Sequence, residues 1–363
     1  MPHPNSIIDA IPATTPFVGP EALQRQMGKS FDLRLGANES LFGPSPLAIA
    51  AMQEQAAIGQ FYGDPEGYDL RWEIAQRNGC DVSNVVLASG IDELLMLFCR
   101  AYLGHGDSAL TTHGSYPTFD YAVRSVGGNL LFDLYSDDGT IDLESLSHFA
   151  QVDAPNMVYL ANPDNPSSTW ISPEKVGEFR ESLHSDVLFL LDEAYIDFAP
   201  VAAPFDPDDE GVVRLRTFSK GHGLAGIRIG YALCAASHVR ALNRIRMHFG
   251  VSSVAQAGGL AALRDESYLK YVVKETTRVR EWLATQLKGL GLNSLPSHTN
   301  FLTIDLGSEN RASEAVLALR QKGVFIRKPS QPPLDRFIRV SIGPQSVMEE
   351  FMGRFADELR GLK

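Results

Sequence analysis

Short apolar runs of strand length alternate with segments of helical periodicity through the middle of the chain. The strand-like runs are residues 85–88, 157–160, 187–191, 212–217 and 229–233. Between the first two, Ile91–Tyr102 places apolar side chains at helical spacing. Ser172-Pro173 has the form of an N-cap followed by proline at the first helical position, opening a helix to about residue 184. Strands that alternate with helices predict an α/β fold with a mostly parallel sheet covered on both faces.

The pattern changes after about residue 252, where helical and strand-like segments no longer alternate regularly. The helical segments are residues 254–263, 268–287, about 312–322 and the C-terminal stretch, and the strand-like segments are 301–305, 324–327 and 337–341. This α+β part predicts a second, smaller domain, and 363 residues are enough for two domains. The first 45 residues or so are rich in proline and glycine without a clear period, so we expect them to lie across another part of the structure.

Composition excludes several classes of function. The 32 basic and 44 acidic residues give a net charge of −12, which argues against nucleic acid and anionic membranes as partners. No apolar run approaches the length of a spanning helix, and residues 1–20 lack the features of a signal peptide. The 3 cysteines are typical of buried thiols in a reducing compartment, so we expect a cytoplasmic protein. The 9 histidines have no metal-binding spacing, and we expect no metal.

A glycine-rich stretch at 217–230 contains one lysine. Its G-x-G-x-x-G pattern, which begins at Gly221, resembles a dinucleotide fingerprint, but a strand-like run follows where that motif needs a helix. Lys220 follows Ser219, and Arg228 comes eight residues later. An amine that attacks a carbonyl must be neutral part of the time, and cationic neighbours lower its pKa. The stretch therefore indicates a nucleophilic lysine beside a phosphate, with a solvated surface lysine as the alternative.

Two polar residues come after buried strand-like runs. Asp192 ends a run that is apolar at every position, as parallel strands are, and ligand sites form at the carboxyl ends of such strands. A buried aspartate needs a cationic partner, such as a protonated pyridine nitrogen, or strong hydrogen bonds; the alternative is a helix N-cap. Asn165 lies in the Asn-Pro-Asp-Asn-Pro stretch at 162–166, which presents an amide at the next strand end or forms a plain turn.

The strand-turn-helix passage around Gly90 has the form of an anion site. Backbone N–H groups of Gly90, Ile91 and Asp92 and the helix dipole favour an anion there. Asp92 and Glu93 would repel it, so we expect their side chains to point away and Arg228 to supply the opposite charge. The alternative is an ordinary capped helix start.

These residues, in this chain order, resemble the fold-type I pyridoxal-phosphate aminotransferases of class I/II, and most of all the histidinol-phosphate aminotransferase branch. The Ser-Lys pair with its downstream arginine and the Asp-Glu-Ala-Tyr segment at 192–195 are specific in combination. The weaker matching segments are 36–39, 42–46, 62–65, 115–117, 299–301 and 339–340. The resemblance implies a large doubly wound, mostly parallel pyridoxal-phosphate-binding domain at 46–260. It also implies a smaller α+β domain formed by the arm 1–45 and residues 261–363.

The resemblance also implies the roles of the site residues. Lys220 would be joined covalently to the aldehyde of pyridoxal 5'-phosphate and would move a proton between substrate and cofactor, while Asp192 would pair with the pyridine nitrogen. The implied catalytic residues are Lys220, Asp192 and Tyr195. The implied cofactor residues are Gly90, Ile91, Asp92, Tyr116, Asn165, Asp192, Tyr195, Ser219, Lys220 and Arg228. Tyr62 would reach the phosphate of the neighbouring subunit's cofactor, which implies a homodimer.

The substrate side departs from the family pattern. Arg327 and Arg339 would receive the substrate's anionic group, the alternative being a surface ion pair. Phe17 stands where the family often has a tyrosine that holds the substrate phosphate, and Asn38, also a substrate-side residue, begins Asn-Glu-Ser-Leu instead of the usual Asn-Glu-Asn-Pro. Losing a hydroxyl weakens recognition of a phosphate, so an aromatic or other amino acid could fill the pocket.

The predicted activity is transfer of an amino group to a 2-oxo acid in two half-reactions. The donor is an amino acid or an amino-alcohol phosphate, histidinol-phosphate-like or aromatic. The alternative is a pyridoxal-phosphate-dependent decarboxylase of an amino acid phosphate on the same scaffold.

Overall fold

The described strands form one large sheet and two small sheets. The computed structural model describes residues 2–12 and 18–361. The strands are β1 (Leu33–Arg34), β2 (Val85–Ala88), β3 (Ser108–Thr112), β4 (Asn129–Asp133), β5 (Met157–Ala161), β6 (Leu188–Asp192), β7 (Val212–Thr217), β8 (Gly230–Leu233), β9 (Asn293–Ser294), β10 (Phe301–Asp305), β11 (Val324–Phe325) and β12 (Phe337–Ser341). Within the described ranges, seven of these strands form the large sheet in the order β2-β8-β7-β6-β5-β3-β4.

Helices connect the strands and cover the sheets. They are α1 (Ser6–Asp9), α2 (Pro20–Met27), α3 (Pro46–Ala56), α4 (Tyr68–Asn78), α5 (Ile91–Tyr102), α6 (Pro117–Ser125), α7 (Leu143–Asp153), α8 (Pro173–Ser182), α9 (Ala236–Leu242), α10 (Ser253–Arg264), α11 (Glu266–Gly289), α12 (Glu309–Gln321) and α13 (Gln345–Gly361). The expected opening of α8 is confirmed, because the Ser172 hydroxyl accepts the Lys175 N–H and proline occupies the first helical position. None of these helices is long and apolar enough to cross a bilayer.

The large sheet confirms the mostly parallel α/β prediction. Neighbouring strands from β4 through β3, β5 and β6 to β7 run parallel, and β8 runs antiparallel to both of its neighbours. Every residue of β5 and β6 is buried, as expected for strands covered on both faces. Ala161 pairs with Asp192, which pairs in turn with Leu215, so the carboxyl ends of β5, β6 and β7 meet at one edge.

Gly221 and Gly223, which follow Lys220, allow close packing, and no α-helix begins directly after them. A Cβ on Gly221 would lie 2.5 Å from the Asp197 Oδ2, and one on Gly223 would lie 2.4 Å from the Gly43 carbonyl oxygen. A short 3-10 turn at Ala225–Ile227 leads directly into β8. The structure therefore confirms that this stretch is no dinucleotide fingerprint.

A described strand of the N-terminal arm pairs with the C-terminal part of the chain. β1 pairs in parallel with β11, matching Leu33 to Val324, and β12, β10 and β9 form an antiparallel sheet beside it. α12 begins three residues earlier than expected because the Ser308 hydroxyl caps it by accepting the Arg311 N–H at 3.3 Å.

The cysteines only partly follow the expectation that they are buried. Cys99 and Cys234 are buried, but Cys80 is partly exposed because it lies in the turn just after the end of α4. In the described part of the chain these three thiols are free, and no group of His, Cys, Asp and Glu side chains there could hold a metal ion.

Candidate active site

A cavity of about 280 Å³ opens at the edge of the large sheet where β5, β6 and β7 end. The sequence-predicted residues in its wall are Asn38, Ile91, Asp92, Tyr116, Asn165, Asp192, Tyr195, Ser219, Lys220, Arg228, Arg327 and Arg339. These residues come from both ends of the chain and from its middle, so the fold brings together side chains that are up to about 300 positions apart in sequence.

Lys220 lies just beyond the end of β7. Its Nζ donates to the Asn38 carbonyl oxygen at 3.1 Å and lies 5.5 Å from the centre of the Tyr195 ring. Burial, together with the nearby Arg339 and Arg228, lowers the pKa of the Lys220 amine to about 8. A lysine with this pKa is neutral for part of the time near pH 7, as a nucleophile or a proton-transfer group must be.

Asp192 ends β6 and turns its carboxylate into the cavity. The Tyr159 hydroxyl donates to Oδ2 at 2.7 Å and the Ala194 N–H donates to Oδ1 at 2.9 Å. Burial raises the pKa of this carboxyl to about 6. The N-cap alternative is wrong, because the short 3-10 turn that follows has Tyr195, and not Asp192, at its N-cap position.

The backbone at Gly90 comes close to the guanidinium of Arg228. Gly90 has φ +92°, and a Cβ there would lie 2.5 Å from the Arg228 Nη2. Only glycine leaves this space open, so Arg228 can lie across the N-terminus of α5. Both the helix N-terminus and the guanidinium favour an anion at this point.

The acidic side chains at the start of α5 behave differently from each other. Glu93 turns back and accepts the Ser89 N–H at 2.5 Å, so it points away from the anion position as expected. The expectation is wrong for Asp92, which lies in the cavity wall. Its Oδ1 accepts the Tyr116 hydroxyl at 2.7 Å and its Oδ2 is 3.3 Å from Arg228 Nη2, because both groups lie within reach of the first turn.

Two arginines enter the cavity from the C-terminal part of the chain. Arg327 and Arg339 form an antiparallel bridge, in which the Arg339 N–H donates to the Arg327 carbonyl at 2.7 Å. Residues directly opposite each other in such a pair project to the same face. Arg339 Nη1 donates to the Asn165 Oδ1, and the ion-pair alternative is wrong for Arg339, which contacts no carboxylate in the described ranges.

Burial depresses the pKa of both arginines, to about 10 for Arg339, and leaves them cationic at neutral pH. The Arg327 Nη2 also donates to the Val18 carbonyl at 3.1 Å, which ties the N-terminal arm to the cavity mouth. Phe17 lies outside the described residues. Asn38, the remaining substrate-side residue, donates from Nδ2 to the Tyr195 hydroxyl at 2.8 Å.

Tyr62 is separate from this cavity in its own chain. Its side chain is 84% exposed, and its ring lies 4.7 Å from that of Phe249, which is also exposed. Phe61 and Met247, close to these two residues in sequence, are exposed as well.

The sequence motifs did not single out Tyr159, a polar side chain in the cavity wall. Tyr159 is the one side chain with a hydroxyl in the apolar run of β5, and it precedes the strand end by two residues, so it shares a face with that end. That alternation is the signal that could have identified it. Glu39, in the matching segment 36–39, also lines the cavity, and its carboxylate lies 3.3 Å from the Arg34 guanidinium.

Comparison with known proteins finds aminotransferases. The model of the aminotransferase class I and II family matches residues 32–355. A histidinol-phosphate aminotransferase of Psychrobacter arcticus is 34% identical over 351 residues, which cover 94% of this chain and 90% of that protein. Another from Carboxydothermus hydrogenoformans is 33% identical, covering 89% and 90%.

Solved structures show the same architecture. The histidinol-phosphate aminotransferase of Sinorhizobium meliloti, in complex with pyridoxal 5'-phosphate, has a TM-score of 0.94 and 39% identity, covering 99% of this chain and 98% of that one. The L-threonine-O-3-phosphate decarboxylase of Porphyromonas gingivalis has a TM-score of 0.76 at 20% identity, covering 90% and 99%, and so shares the fold alone.

The fold and the cavity define a fold-type I enzyme dependent on pyridoxal phosphate, as the sequence predicted. The chain belongs to the aminotransferase class I and II family. The residues present fit that cofactor, because a lysine with a lowered pKa, a buried carboxylate and a guanidinium over a helix N-terminus share one cavity. The absence of a Cβ at Gly90 leaves room for the Arg228 guanidinium beside the N-terminus of α5, where an anion would lie.

Proposed function

We propose that this aminotransferase takes the amino group from an amino-alcohol phosphate, histidinol-phosphate-like, and passes it to a 2-oxo acid. The arrangement of Lys220, Asp192 and Arg228 around one cavity carries the proposal. The names of the relatives at 33–39% identity support the donor class. Bound pyridoxal phosphate supplies an electron sink for the charge that develops when the substrate loses a proton from carbon.

Lys220 would be the covalent attachment point and the group that moves this proton. Its lowered pKa, about 8, lets the amine accept a proton and give it back near neutral pH. The hydrogen bond from Lys220 Nζ to the Asn38 carbonyl holds the amine in the cavity. Asp192 would face the ring nitrogen, because a buried carboxylate favours the protonated form of a neighbouring base.

The remaining polar groups would fix the ring and its phosphate. The Asn165 side-chain oxygen accepts a hydrogen bond from Arg339, so the Asn165 amide nitrogen is the atom that would donate to the ring hydroxyl. The Tyr195 oxygen accepts from Asn38, which leaves its hydrogen for the same ring oxygen. Tyr116 would stack on the ring face. The residues that would hold the phosphate are Ser219, Arg228 and the backbone of Gly90, Ile91 and Asp92.

Arg327 and Arg339 would receive the anionic group of the substrate. Their side chains share one face of an antiparallel pair, and a planar guanidinium binds carboxylate or phosphate through two parallel hydrogen bonds. Each half-reaction would therefore use the same pair, first for the donor's anionic group and then for the carboxylate of the 2-oxo acid. Asn38 would position the substrate beside Lys220.

The assembly would be a homodimer in which Tyr62 completes the partner's cofactor site. The exposed aromatic patch of Phe61, Tyr62 and Phe249 supports this, because monomeric proteins rarely leave such surface uncovered. The division into domains at 46–260 and at 1–45 with 261–363 is supported by a core in which Leu33 and Leu35 pack with C-terminal residues. The free thiols support a cytoplasmic location.

Absorbance of the purified protein tests the assignment of Lys220. Lys220→Ala is expected to lose the absorption band of the covalently joined cofactor and all turnover. Lys288→Ala, at an exposed position on α11, serves as the control and should keep both. A retained band in Lys220→Ala would assign the attachment to another residue.

A screen of amino donors tests the substrate. Histidinol phosphate is expected to discharge the cofactor band with conversion to the amine form, and phenylalanine and tyrosine are the comparison. Discharge by the aromatic amino acids alone would contradict the donor proposed here. Release of carbon dioxide without conversion to the amine form would identify a decarboxylase.

A further inference from the structure

Tyr159 is a buried tyrosine in the cavity wall that no sequence motif singled out. It is 1% exposed, and its ring stacks on Phe119 with centroids 4.7 Å apart and an interplanar angle of 17°. Its hydroxyl donates to the Asp192 Oδ2 at 2.7 Å. Burial raises the pKa of this phenol well above its usual value, so it acts only as a donor to the carboxylate.

We propose that Tyr159 is a positioning residue that keeps Asp192 ionised and oriented toward the pyridine nitrogen of the cofactor. The inference rests on the proposed function, because Asp192 is the residue assigned there to the ring nitrogen. The ring of Tyr159 is fixed by Phe119 and by its place in β5, so its hydroxyl has little freedom to leave the carboxylate.

The hydrogen bonds of Asp192 oppose the effect of its burial. Burial raises the pKa of the Asp192 carboxyl, and the bonds from the Tyr159 hydroxyl and the Ala194 N–H lower it. The other charged or titratable groups that act on Asp192 are Asp92, which raises its pKa, Lys220, which lowers it, and the phenols Tyr116 and Tyr195. Without the Tyr159 hydroxyl, one backbone donor remains, and the carboxyl becomes protonated at a higher pH.

Binding of pyridoxine 5'-phosphate to the cofactor-free full-length protein tests this without any turnover. This compound has no aldehyde and cannot be joined to Lys220, so calorimetry reports only the contacts of its ring and phosphate. Affinity of the wild-type chain should fall as pH decreases and Asp192 becomes protonated. In Tyr159→Phe the same fall is expected about one pH unit higher, with comparable affinities at alkaline pH.

Tyr135→Phe is the matched control. The Tyr135 hydroxyl also donates to a buried carboxylate, that of Asp164 at 3.1 Å, but neither residue lines the cavity. Both variants should lower thermal stability, and only Tyr159→Phe should move the pH profile. A Tyr159→Phe profile that superimposes on the wild-type profile overturns the inference.

Two further outcomes separate this inference from the proposed function. Failure of the wild-type chain to bind pyridoxine 5'-phosphate at any pH would overturn the proposed function and the inference with it. If Tyr159→Phe does not fold, a carbon-13 NMR titration of the Asp192 carboxyl in the wild-type chain tests the inference instead. Ionised Asp192 at neutral pH supports the inference, and protonated Asp192 at neutral pH refutes it.

Discussion

Replacing Gly90 with alanine should damage the cofactor site through Arg228. Gly90 has φ +92° and ψ 175°, a backbone conformation adopted almost only by glycine. The added Cβ would lie 2.5 Å from the Arg228 Nη2, which is too close for any real contact. The guanidinium is the end of a flexible side chain, so it would swing away from the N-terminus of α5 and from Asp92.

Two separate losses follow from Gly90→Ala. The strained backbone should cost about 1–3 kcal/mol of the free energy of unfolding. The displaced guanidinium should forfeit a charged hydrogen bond to the cofactor phosphate, worth about 1.5–3 kcal/mol, so the Kd for pyridoxal phosphate should rise roughly 10- to 100-fold. The ion pair with Asp92 adds little, since both side chains are nearly half exposed.

Absorbance titration of the cofactor-free protein with pyridoxal phosphate measures the affinity, and a thermal melt measures the stability. Gly177→Ala is the control, because Gly177 lies in α8 with open space around it. That change should stabilise the fold by about 0.5–1 kcal/mol without altering affinity. Combined with Arg228→Ala, Gly90→Ala should weaken binding no further than Arg228→Ala alone. An affinity within twofold of wild type in Gly90→Ala would refute the reasoning.

Two other predictions concern buried charge. Glu193→Gln should lower the free energy of unfolding by about 3–5 kcal/mol in denaturant titrations, because it leaves the buried Arg214 and the largely buried Arg216 without their shared carboxylate; a loss below about 1 kcal/mol would contradict this. Acetylation of Lys220 in the cofactor-free protein, followed by mass spectrometry, should accelerate as pH rises and level off above about 8. Arg339→Gln removes a cation that lowers the pKa of Lys220 and should move that plateau to higher pH, and an unmoved plateau would count against the electrostatic cause.

The parts of the fold that could be predicted from sequence are those whose burial leaves an unambiguous pattern. β5 and β6 are buried at every position, so their apolar runs identify them. β4 was missed because most of its residues are half-exposed. β3 was missed because three of its five residues carry hydroxyls, Ser108, Thr111 and Thr112. α3, α4, α6 and α7 were also missed, although Ser45 and Asp142 cap two of them by accepting a backbone N–H.

The residues of the candidate site that could be predicted are those at or just after the ends of strands. Asp192 ends β6, and Lys220 and Asn165 follow the ends of β7 and β5 by a few residues. Parallel strands bring those ends together. The contact of Asp92 with Tyr116 was not predictable, because it depends on two helix starts meeting across the cavity. The role of Gly90 in making room for Arg228 likewise requires coordinates, since the two are distant in sequence.

Of the two adjacent acids Asp192 and Glu193, only Asp192 places its carboxylate in the cavity. Glu193 continues the extended backbone of β6 by one residue, with its N–H on the Leu215 carbonyl. Successive residues of extended backbone point to opposite faces, so Asp192 faces the cavity while Glu193 is turned away from it toward Arg214 and Arg216. Burial would raise the pKa of Glu193, but these two guanidinium groups hold it below its usual value. Asp192 has no ion-pair partner in the described part of the chain, only hydrogen bonds. A buried carboxylate held in this way gains most from a cation supplied by a ligand, and a protonated pyridine ring is such a cation.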